Sequence, residues 1–169
     1  MPRAHSHNGT VRLDADVCRS RFADARHAYL ATADAGGAPH LVPVTFALLE
    51  AVRDPPRGAA ADAPAGAEIV VVVDHKPKTT HGLRRLRNLA ENPRVAFLVD
   101  RYDDEWAQLW WVRADGVATL EQGGEGQEGE PRAAALDALA ARYPQYRERR
   151  PEGPLIRVRV TRWSGWAHG

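Results

Sequence analysis

The chain has 169 residues, of which 44% are hydrophobic and 27% charged, and its formal net charge is +1. This composition is typical of one globular domain with its own core. The near-zero charge excludes a global field that would recruit nucleic acid, and no apolar run reaches the length of a membrane span. Cys18 is the single cysteine, so no disulfide can form within the chain. Without a signal-peptide pattern at the N-terminus, we expect a cytoplasmic protein.

The N-terminal part predicts a flexible tail followed by a helix. Residues 1–12 are polar, and we expect them to be flexible. Asp14 is a suitable N-cap residue, because its carboxylate can accept the first backbone N–H groups of a helix. The helix should run to about Arg26, and its predicted inner face comprises Val17, Phe22 and Ala25.

A β-hairpin is predicted next. Residues 28–33 are strand-like, and residues 34–37 (Asp-Ala-Gly-Gly) form a turn with glycines where positive φ is needed. Residues 39–50 are predicted to form one returning strand, in which Pro43 marks an edge or a bulge. The Pro-, Ala- and Gly-rich residues 51–67 predict a surface loop.

The region that follows combines a buried strand with a basic helix. Residues 69–73 (Ile-Val-Val-Val-Val) predict the strand, and residues 79–92 predict a helix that ends at Pro93. Between Lys76 and Arg101 there are seven lysines and arginines but two acids. Cations and a helix N-terminus at one strand end favour an anion such as a phosphate. A solvated basic helix is the alternative interpretation.

The C-terminal half predicts three further strands and a helix. The strands cover residues 95–100, 108–121 and 155–163, with a bulge at Asp115–Gly116 in the second. A loop is predicted at residues 123–130. Pro131 then opens a helix that covers residues 133–143. Adjacent Trp110 and Trp111 should face opposite sides of their strand, one in the core and one towards a substrate pocket or a dimer contact. About six antiparallel strands with three flanking helices predict a mainly β fold, a small barrel.

Several motifs in this order resemble one known family. They are Asp74-His-Lys-Pro-Lys78, Leu83-Arg-Arg-Leu-Arg-Asn-Leu89, Asn92-Pro-Arg-Val95, Leu109-Trp-Trp-Val-Arg113, Tyr143-Pro-Gln-Tyr146 and Trp163-Ser-Gly-Trp166. The set resembles the pyridoxamine 5′-phosphate oxidase-like split β-barrel superfamily, and more closely its actinobacterial branch of coenzyme F420-dependent oxidoreductases. The resemblance covers residues 13–169 as a single flavin- or deazaflavin-binding domain.

The resemblance implies a homodimer with the cofactor at the subunit interface. Strand-end cations would hold the cofactor phosphate, and the flavin or deazaflavin ring would lie against the strand at residues 39–46. The residues expected to bind the cofactor are Leu41, Pro43, Val44, Lys76, Pro77, Lys78, Thr79, Thr80 and Arg85. Each has a structural alternative: core strand residues for the first three, solvated turn or helix-capping residues for the others.

The predicted function is hydride transfer between coenzyme F420 and a small unsaturated organic substrate. In such enzymes the cofactor carries the chemistry and the protein orients it. Solvent, His75 and Tyr102 are the candidate proton donors. Neither His75 nor His81 has metal-ligand spacing to other donors, so no metal is expected. Two alternatives stay open: an FMN-dependent flavin reductase or pyridoxamine phosphate oxidase-like enzyme, and a non-catalytic cofactor carrier or sensor.

Overall fold

The computed structural model describes residues 10–50, 66–73, 83–123 and 129–168. The strands in these residues are β1 Thr10–Arg12, β2 Ala28–Ala33, β3 Pro39–Val44, β4 Ala47–Glu50, β5 Ala67–Val72, β6 Arg94–Arg101, β7 Trp110–Glu121 and β8 Leu155–His168. The helices are α1 Ala15–Asp24, α2 Arg84–Glu91, α3 Glu130–Arg142 and α4 Pro144–Glu148, with a 3₁₀ turn at Trp106–Gln108. None of the helices in these ranges is long and apolar enough to cross a bilayer.

All strands belong to one antiparallel sheet that curls into an open barrel. Its strand order is β3-β2-β6-β7-β8-β5-β4, and β1 pairs with the far end of β8. β3 and β4 are therefore the two edges of this order, although only Thr45 and Phe46 separate them along the chain. The sheet does not close between these edges, as in a split barrel. The predicted fold class, mainly β with flanking helices, is confirmed.

The inside of the barrel is filled by apolar side chains that alternate along the strands. In β5, Ile69 and Val71 point into this core, while Val70 and Val72 point outwards beneath α3. Both faces of β5 are covered, which explains its unbroken apolar sequence. Helix α1 covers one end of the barrel, where the Phe22 ring lies 4.7 Å from that of Phe46.

The short link between the two edge strands is held by the end of α3. The Tyr143 hydroxyl accepts a hydrogen bond from the backbone N–H of Phe46 at 3.1 Å. Its own proton can be donated to the carbonyl of Arg26 at 2.9 Å or that of Phe46 at 3.1 Å. Nearby, the hydroxyls of Thr45 and Tyr146 are 2.8 Å apart. These bonds fasten α3 and α4 to the seam of the barrel.

Several predicted strand boundaries are wrong. The predicted strand at residues 39–50 is two strands, since the chain crosses from one sheet edge to the other at Thr45–Phe46. Pro43 does lie on an edge strand, as predicted. Residues 10–12, predicted as part of a flexible tail, form β1 instead and pair with residues 166–168, which extend β8 beyond the predicted end at residue 163. The rest of the predicted tail lies outside the described residues. With β1 and the divided hairpin strand, the described residues contain eight strands rather than about six.

The predicted turn and bulge are confirmed. Gly37 has φ of 83°, and its N–H donates to the carbonyl of Asp34 at 3.0 Å. The pairing of β7 with β8 shifts between Asp115 and Gly116, where the bulge was expected. A Cβ on Gly116 would lie 2.7 Å from the Arg159 carbonyl oxygen, so the bulge leaves no room for a side chain there.

The helices also differ in detail from their predictions. Asp14 is the N-cap of α1, and its carboxylate accepts from the Val17 N–H at 2.8 Å, as predicted. Val17 itself was wrongly placed on the inner face: it is 38% exposed, and Cys18 is buried instead. Helix α3 begins at Glu130, earlier than the predicted residue 133. The start predicted for α2 at residue 79 lies outside the described residues, as does most of the predicted loop at 51–67.

Candidate functional site

Helix α2 is fixed on the end of the β2–β3 hairpin by two polar contacts. The Asn88 side-chain amide donates to the Thr32 hydroxyl at 3.0 Å, and both side chains are buried. The Glu91 carboxylate accepts from the backbone N–H of Ala35 in the hairpin turn at 3.0 Å. Thr32 lies opposite His40 in the β2–β3 pairing. These contacts place α2 against β2 and the hairpin turn, near the start of β3.

The N-terminal turn of α2 concentrates positive charge at this corner. Arg84 and Arg85 open the helix, its first turn has no acidic residue, and Leu83 at the N-cap makes no side-chain capping bond. Two cations therefore lie at the positive end of the helix dipole, a position that favours an anion. We call Arg84, Arg85 and His40 the basic corner.

His40 reports the electrostatics of the basic corner. Burial lowers the pKa of its imidazole, and the charges of Arg84 and Arg85 lower that pKa further. The Nδ1 atom of His40 has no hydrogen-bond partner among the residues that the structure describes. The imidazole is thus held neutral beside two cations, and it can offer either a donor or an acceptor to a ligand.

Only some of the predicted cofactor residues lie in the part of the chain that the structure describes. Arg85 lies in the first turn of α2, and its charge lowers the pKa of His40 on β3, so the predicted phosphate ligand and the predicted ring-binding strand lie in one region. Leu41, 64% exposed, and Pro43 point outwards from β3, whereas Val44 is buried in the core. Lys76, Pro77, Lys78, Thr79 and Thr80 lie outside the described residues, so their role stays a prediction.

The outer side of β3 is the beginning of an exposed apolar surface. Pro43 is paired with Tyr29 of β2, and Tyr29 is paired in turn with Leu98 of β6, which is 37% exposed. Leu41, Pro43, Tyr29 and Leu98 share this outer side, which we call the outer apolar face. A flat ring laid on β3 would contact Leu41 and Pro43 and have backbone groups of an edge strand beside it.

A separate cavity of about 380 Å³ lies at the end of the barrel covered by α1. It is bounded by the C-terminal end of α1, the start of β2, the end of β6 and the start of β7. Its lining residues are Arg21, Asp24, Ala25, Arg26, His27, Tyr29, Val99, Asp100 and Trp110. Trp110 faces the core here and also lines the cavity, while Trp111 faces the opposite side, as their adjacency predicts.

Three features of this region escaped the sequence analysis: His40, the buried Asn88–Thr32 pair and the cavity. His40 alternates with Leu41 on a strand, which is a weak signal for a site residue. Asn88 interrupts the leucines of α2, and a buried polar residue in such a stripe needs a partner that the sequence does not identify. The described residues contain no group of three His, Cys, Asp or Glu side chains placed to hold a metal ion.

An open antiparallel barrel with a basic corner at one edge strand defines a split-barrel protein. Sequence comparison identifies its family. The chain belongs to the pyridoxamine 5′-phosphate oxidase family, whose N-terminal domain model matches residues 15–167. No curated protein gave a match to the chain.

Solved structures share the fold at low sequence identity. An FAD-binding protein from Mesorhizobium loti superposes with a TM-score of 0.63 at 19% identity, covering 95% of this chain and 99% of its own. The heme-storage protein HutZ from Vibrio cholerae gives 0.58 at 19% identity, with 94% and 96% covered. An FAD-binding protein from Mycobacterium smegmatis gives 0.53 at 15% identity, with 95% and 100% covered. These similarities establish the fold.

Proposed function

We propose that the protein is an oxidoreductase that transfers a hydride between coenzyme F420 and a small unsaturated organic substrate. The observation that carries this proposal is the basic corner, which lies directly beside the exposed edge strand β3. A phosphate-bearing ring cofactor needs both features, a cation cluster for the phosphate and a flat apolar strand for the ring. Membership of the pyridoxamine 5′-phosphate oxidase family supports a flavin-type cofactor.

The residues present fit an anionic cofactor. Arg84 and Arg85 would make charge-assisted hydrogen bonds with a phosphate, and the positive end of α2 would add to them. Lys76 and Lys78 follow β5 in sequence and are expected to extend the same site. Leu41 and Pro43 would contact the ring on the outer side of β3, and Val44 would support that strand from the core.

The bound deazaflavin would supply the hydride, which adds to one carbon of a substrate double bond. A proton must add to the other carbon, so that the substrate gains two electrons and two hydrogens. Water would be the simplest donor of that proton. The candidate donor Tyr102 is 78% exposed on the loop after β6, and the candidate His75 lies outside the described residues. The protein's own tasks are therefore to bind, to orient and to shield the reacting atoms. The buried free thiol of Cys18 is compatible with a cytoplasmic location.

Two alternatives have specific support. An FMN or FAD enzyme of the same fold would use the same basic corner, and two structural neighbours are named FAD-binding proteins. A non-catalytic carrier is supported by the neighbour named as a heme-storage protein. The first alternative differs from the main proposal in which cofactor the corner prefers, which a binding experiment tests. The second differs in its lack of turnover, which an activity assay tests.

We also propose that the protein is a homodimer whose subunits meet through the outer apolar face. Leu41, Pro43 and Leu98 together expose a contiguous apolar surface on one side of the sheet, and surfaces of this kind mark contact sites. A second subunit on this face would cover the ring on β3 and exclude water from it.

The test is titration of the purified protein with coenzyme F420 and separately with FMN, followed by fluorescence. Tight F420 binding with weak FMN binding is expected. Replacing Arg85 with Gln or Lys78 with Ala should each weaken F420 binding by ~1–3 kcal/mol, the scale of a hydrogen bond to a charged group. Arg150→Gln, which affects an exposed arginine paired with Asp137, is the matched control and should bind normally.

The titration, together with an activity assay, has four informative outcomes. Preference for FMN would identify the protein as a flavin enzyme instead of an F420-dependent one. Tight binding of either cofactor without turnover against a panel of unsaturated acceptors would favour the carrier. Wild-type affinity in Arg85→Gln would remove Arg85 from the site, and binding of neither cofactor would overturn the proposal.

A further inference from the structure

The cavity beside α1 has the size and lining of a small-molecule site. Its volume of about 380 Å³ falls within the range of ~300–1,000 Å³ that is usual for ligand pockets. The floor is apolar and aromatic, with Val99 and Trp110 from β6 and β7. Charged side chains from α1 and β6 converge on it. It lies on the α1 end of the barrel, whereas the basic corner lies at the hairpin turn between β2 and β3.

Arg21 is the residue of this cavity whose bonding is incomplete. Its guanidinium lies over the Trp110 ring, 5.1 Å from the ring centroid. The Nη1 atom is buried and has no hydrogen-bond partner among the described residues. A guanidinium has five N–H donors, and a desolvated donor without an acceptor costs free energy. The buried Nη1 is not itself open to a ligand, but the low dielectric around this guanidinium strengthens its attraction for an anion in the cavity.

The two acids of the cavity do not supply that acceptor. Asp24 and Asp100 are both exposed to water. No ion pair joins either of them to Arg21 or Arg26 among the ion pairs found in the described ranges. Their carboxylates are therefore hydrated, while the cation is partly desolvated. This difference favours an anionic group of a ligand at Arg21 over a cationic group at the acids.

The aromatic walls favour a flat ligand. Trp110 is stacked with Arg21 on one side, and Tyr29 lies on another with its ring 5.4 Å from that of His27 in an edge-on arrangement. Planar rings fit against such walls by stacking or edge contacts. We propose that this cavity binds a planar conjugated carboxylate, with the carboxylate at Arg21 and the ring against Trp110 and Tyr29.

The position of the cavity connects it with the proposed cofactor strand. Tyr29 lines the cavity and is paired directly with Pro43 of β3. A ligand held against Tyr29 is thus one strand away from a ring lying on β3. The inference names the substrate class of the proposed oxidoreductase and rests on that function for its catalytic meaning, but binding in the cavity needs no cofactor.

The experiment is calorimetric titration of the cofactor-free protein with cinnamate, a planar conjugated carboxylate. Cinnamyl alcohol is the matched probe, because it keeps the ring and the double bond but lacks the charge. Cinnamate should bind at least roughly tenfold more tightly, as expected for a charge-assisted hydrogen bond. Arg21→Gln should remove that preference, Asp100→Asn should preserve it, and Arg150→Gln is the distant control.

Equal binding of the two probes to the wild-type protein would overturn the inference, and this comparison does not depend on any variant folding. Tighter binding of cinnamylamine that is lost in Asp100→Asn would also overturn it, since the acids would then recognise the ligand. Absence of cinnamate binding in protein that still binds F420 would overturn the cavity proposal and leave the proposed function in place. Cinnamate binding in protein that binds neither F420 nor FMN would remove the proposed function and leave this site in place.

Discussion

His40 shows how one residue can report the charge of its surroundings. It lies on β3 next to the predicted ring-binding residue Leu41, close enough to the basic end of α2 for both arginines to lower its pKa. Burial and the two arginines both favour the neutral imidazole. A neutral imidazole beside two cations avoids adding a third charge, while an anion bound there would reverse the balance.

We expect the pKa of His40, followed by NMR titration, to lie below the usual value of about 6.5. Replacing Arg85 with Gln should raise this pKa, and adding inorganic phosphate should raise it in the wild-type protein. Because the folded protein disfavours protonation of His40, this residue should reduce stability as pH falls from about 6.5 towards its lowered pKa.

Arg150→Gln is the control for that titration, since the Arg150 side chain pairs with Asp137 away from β3. A pKa that does not change in Arg85→Gln would mean that Arg85 contributes little to the potential at the basic corner. Of the two arginines, Arg85 was predicted as a phosphate ligand from its place in the basic helix before Asn92, and Arg84 was not. His40 was not predicted either, because its relation to α2 depends on tertiary packing.

Helix α3 acts as an element that joins three parts of the fold. At its C-terminal end, Arg142 donates to the carbonyls of Ala23 and Ala25 at 2.6 and 2.5 Å. These carbonyls end α1, and a cation there completes hydrogen bonding at a helix terminus. Tyr143, the next residue, binds the start of β2 and the link between β3 and β4. One end of α3 therefore positions α1 and both edge strands.

Tyr143→Phe should lower the free energy of unfolding by ~1–3 kcal/mol, since it leaves the buried N–H of Phe46 without its acceptor. Urea unfolding followed by circular dichroism would measure the loss. Tyr102→Phe is the matched control, because Tyr102 is 78% exposed, and it should be within error of the wild type. Equal stability of the two variants would contradict a structural role for the Tyr143 hydroxyl.

The sequence predicted α3 well, because Leu136, Leu139 and Tyr143 recur at helical spacing and are all buried. It did not predict what Tyr143 binds, since its partners are about a hundred residues away in the chain. Asp14 was predictable as a cap for the opposite reason, because its partner is three residues away. Local patterns identify elements, and long-range hydrogen bonds depend on how those elements assemble.

At the level of the whole molecule, the proposed homodimer depends on the outer apolar face. It spans three neighbouring strands, β3, β2 and β6, and it adjoins the cavity at Tyr29. The fold class could be predicted from alternating strands and short turns. The strand order could not, because the two-residue crossing at Thr45–Phe46 has no turn signal such as Gly or Asn.

Leu41→Lys should convert the proposed dimer into a monomer, since it places a charge on the outer apolar face. Sedimentation velocity would measure the change, and circular dichroism should stay the same because Leu41 is 64% exposed. Val17→Lys, on the surface of α1, is the control and should remain dimeric. A wild-type monomer, or a dimeric Leu41→Lys protein, would contradict this interface.

The crossing at Thr45–Phe46 also bears on aggregation. A free sheet edge can recruit strands of other chains through its unpaired backbone groups. Here the two edge strands, β3 and β4, both lie within residues 39–50, so this short stretch carries most of the risk of pairing with other chains. Pro39 and Pro43 lack N–H groups, which makes β3 a poor template for an added strand. The two prolines keep their carbonyl groups. The strand that would support a cofactor ring is therefore also protected against pairing with strands of other chains.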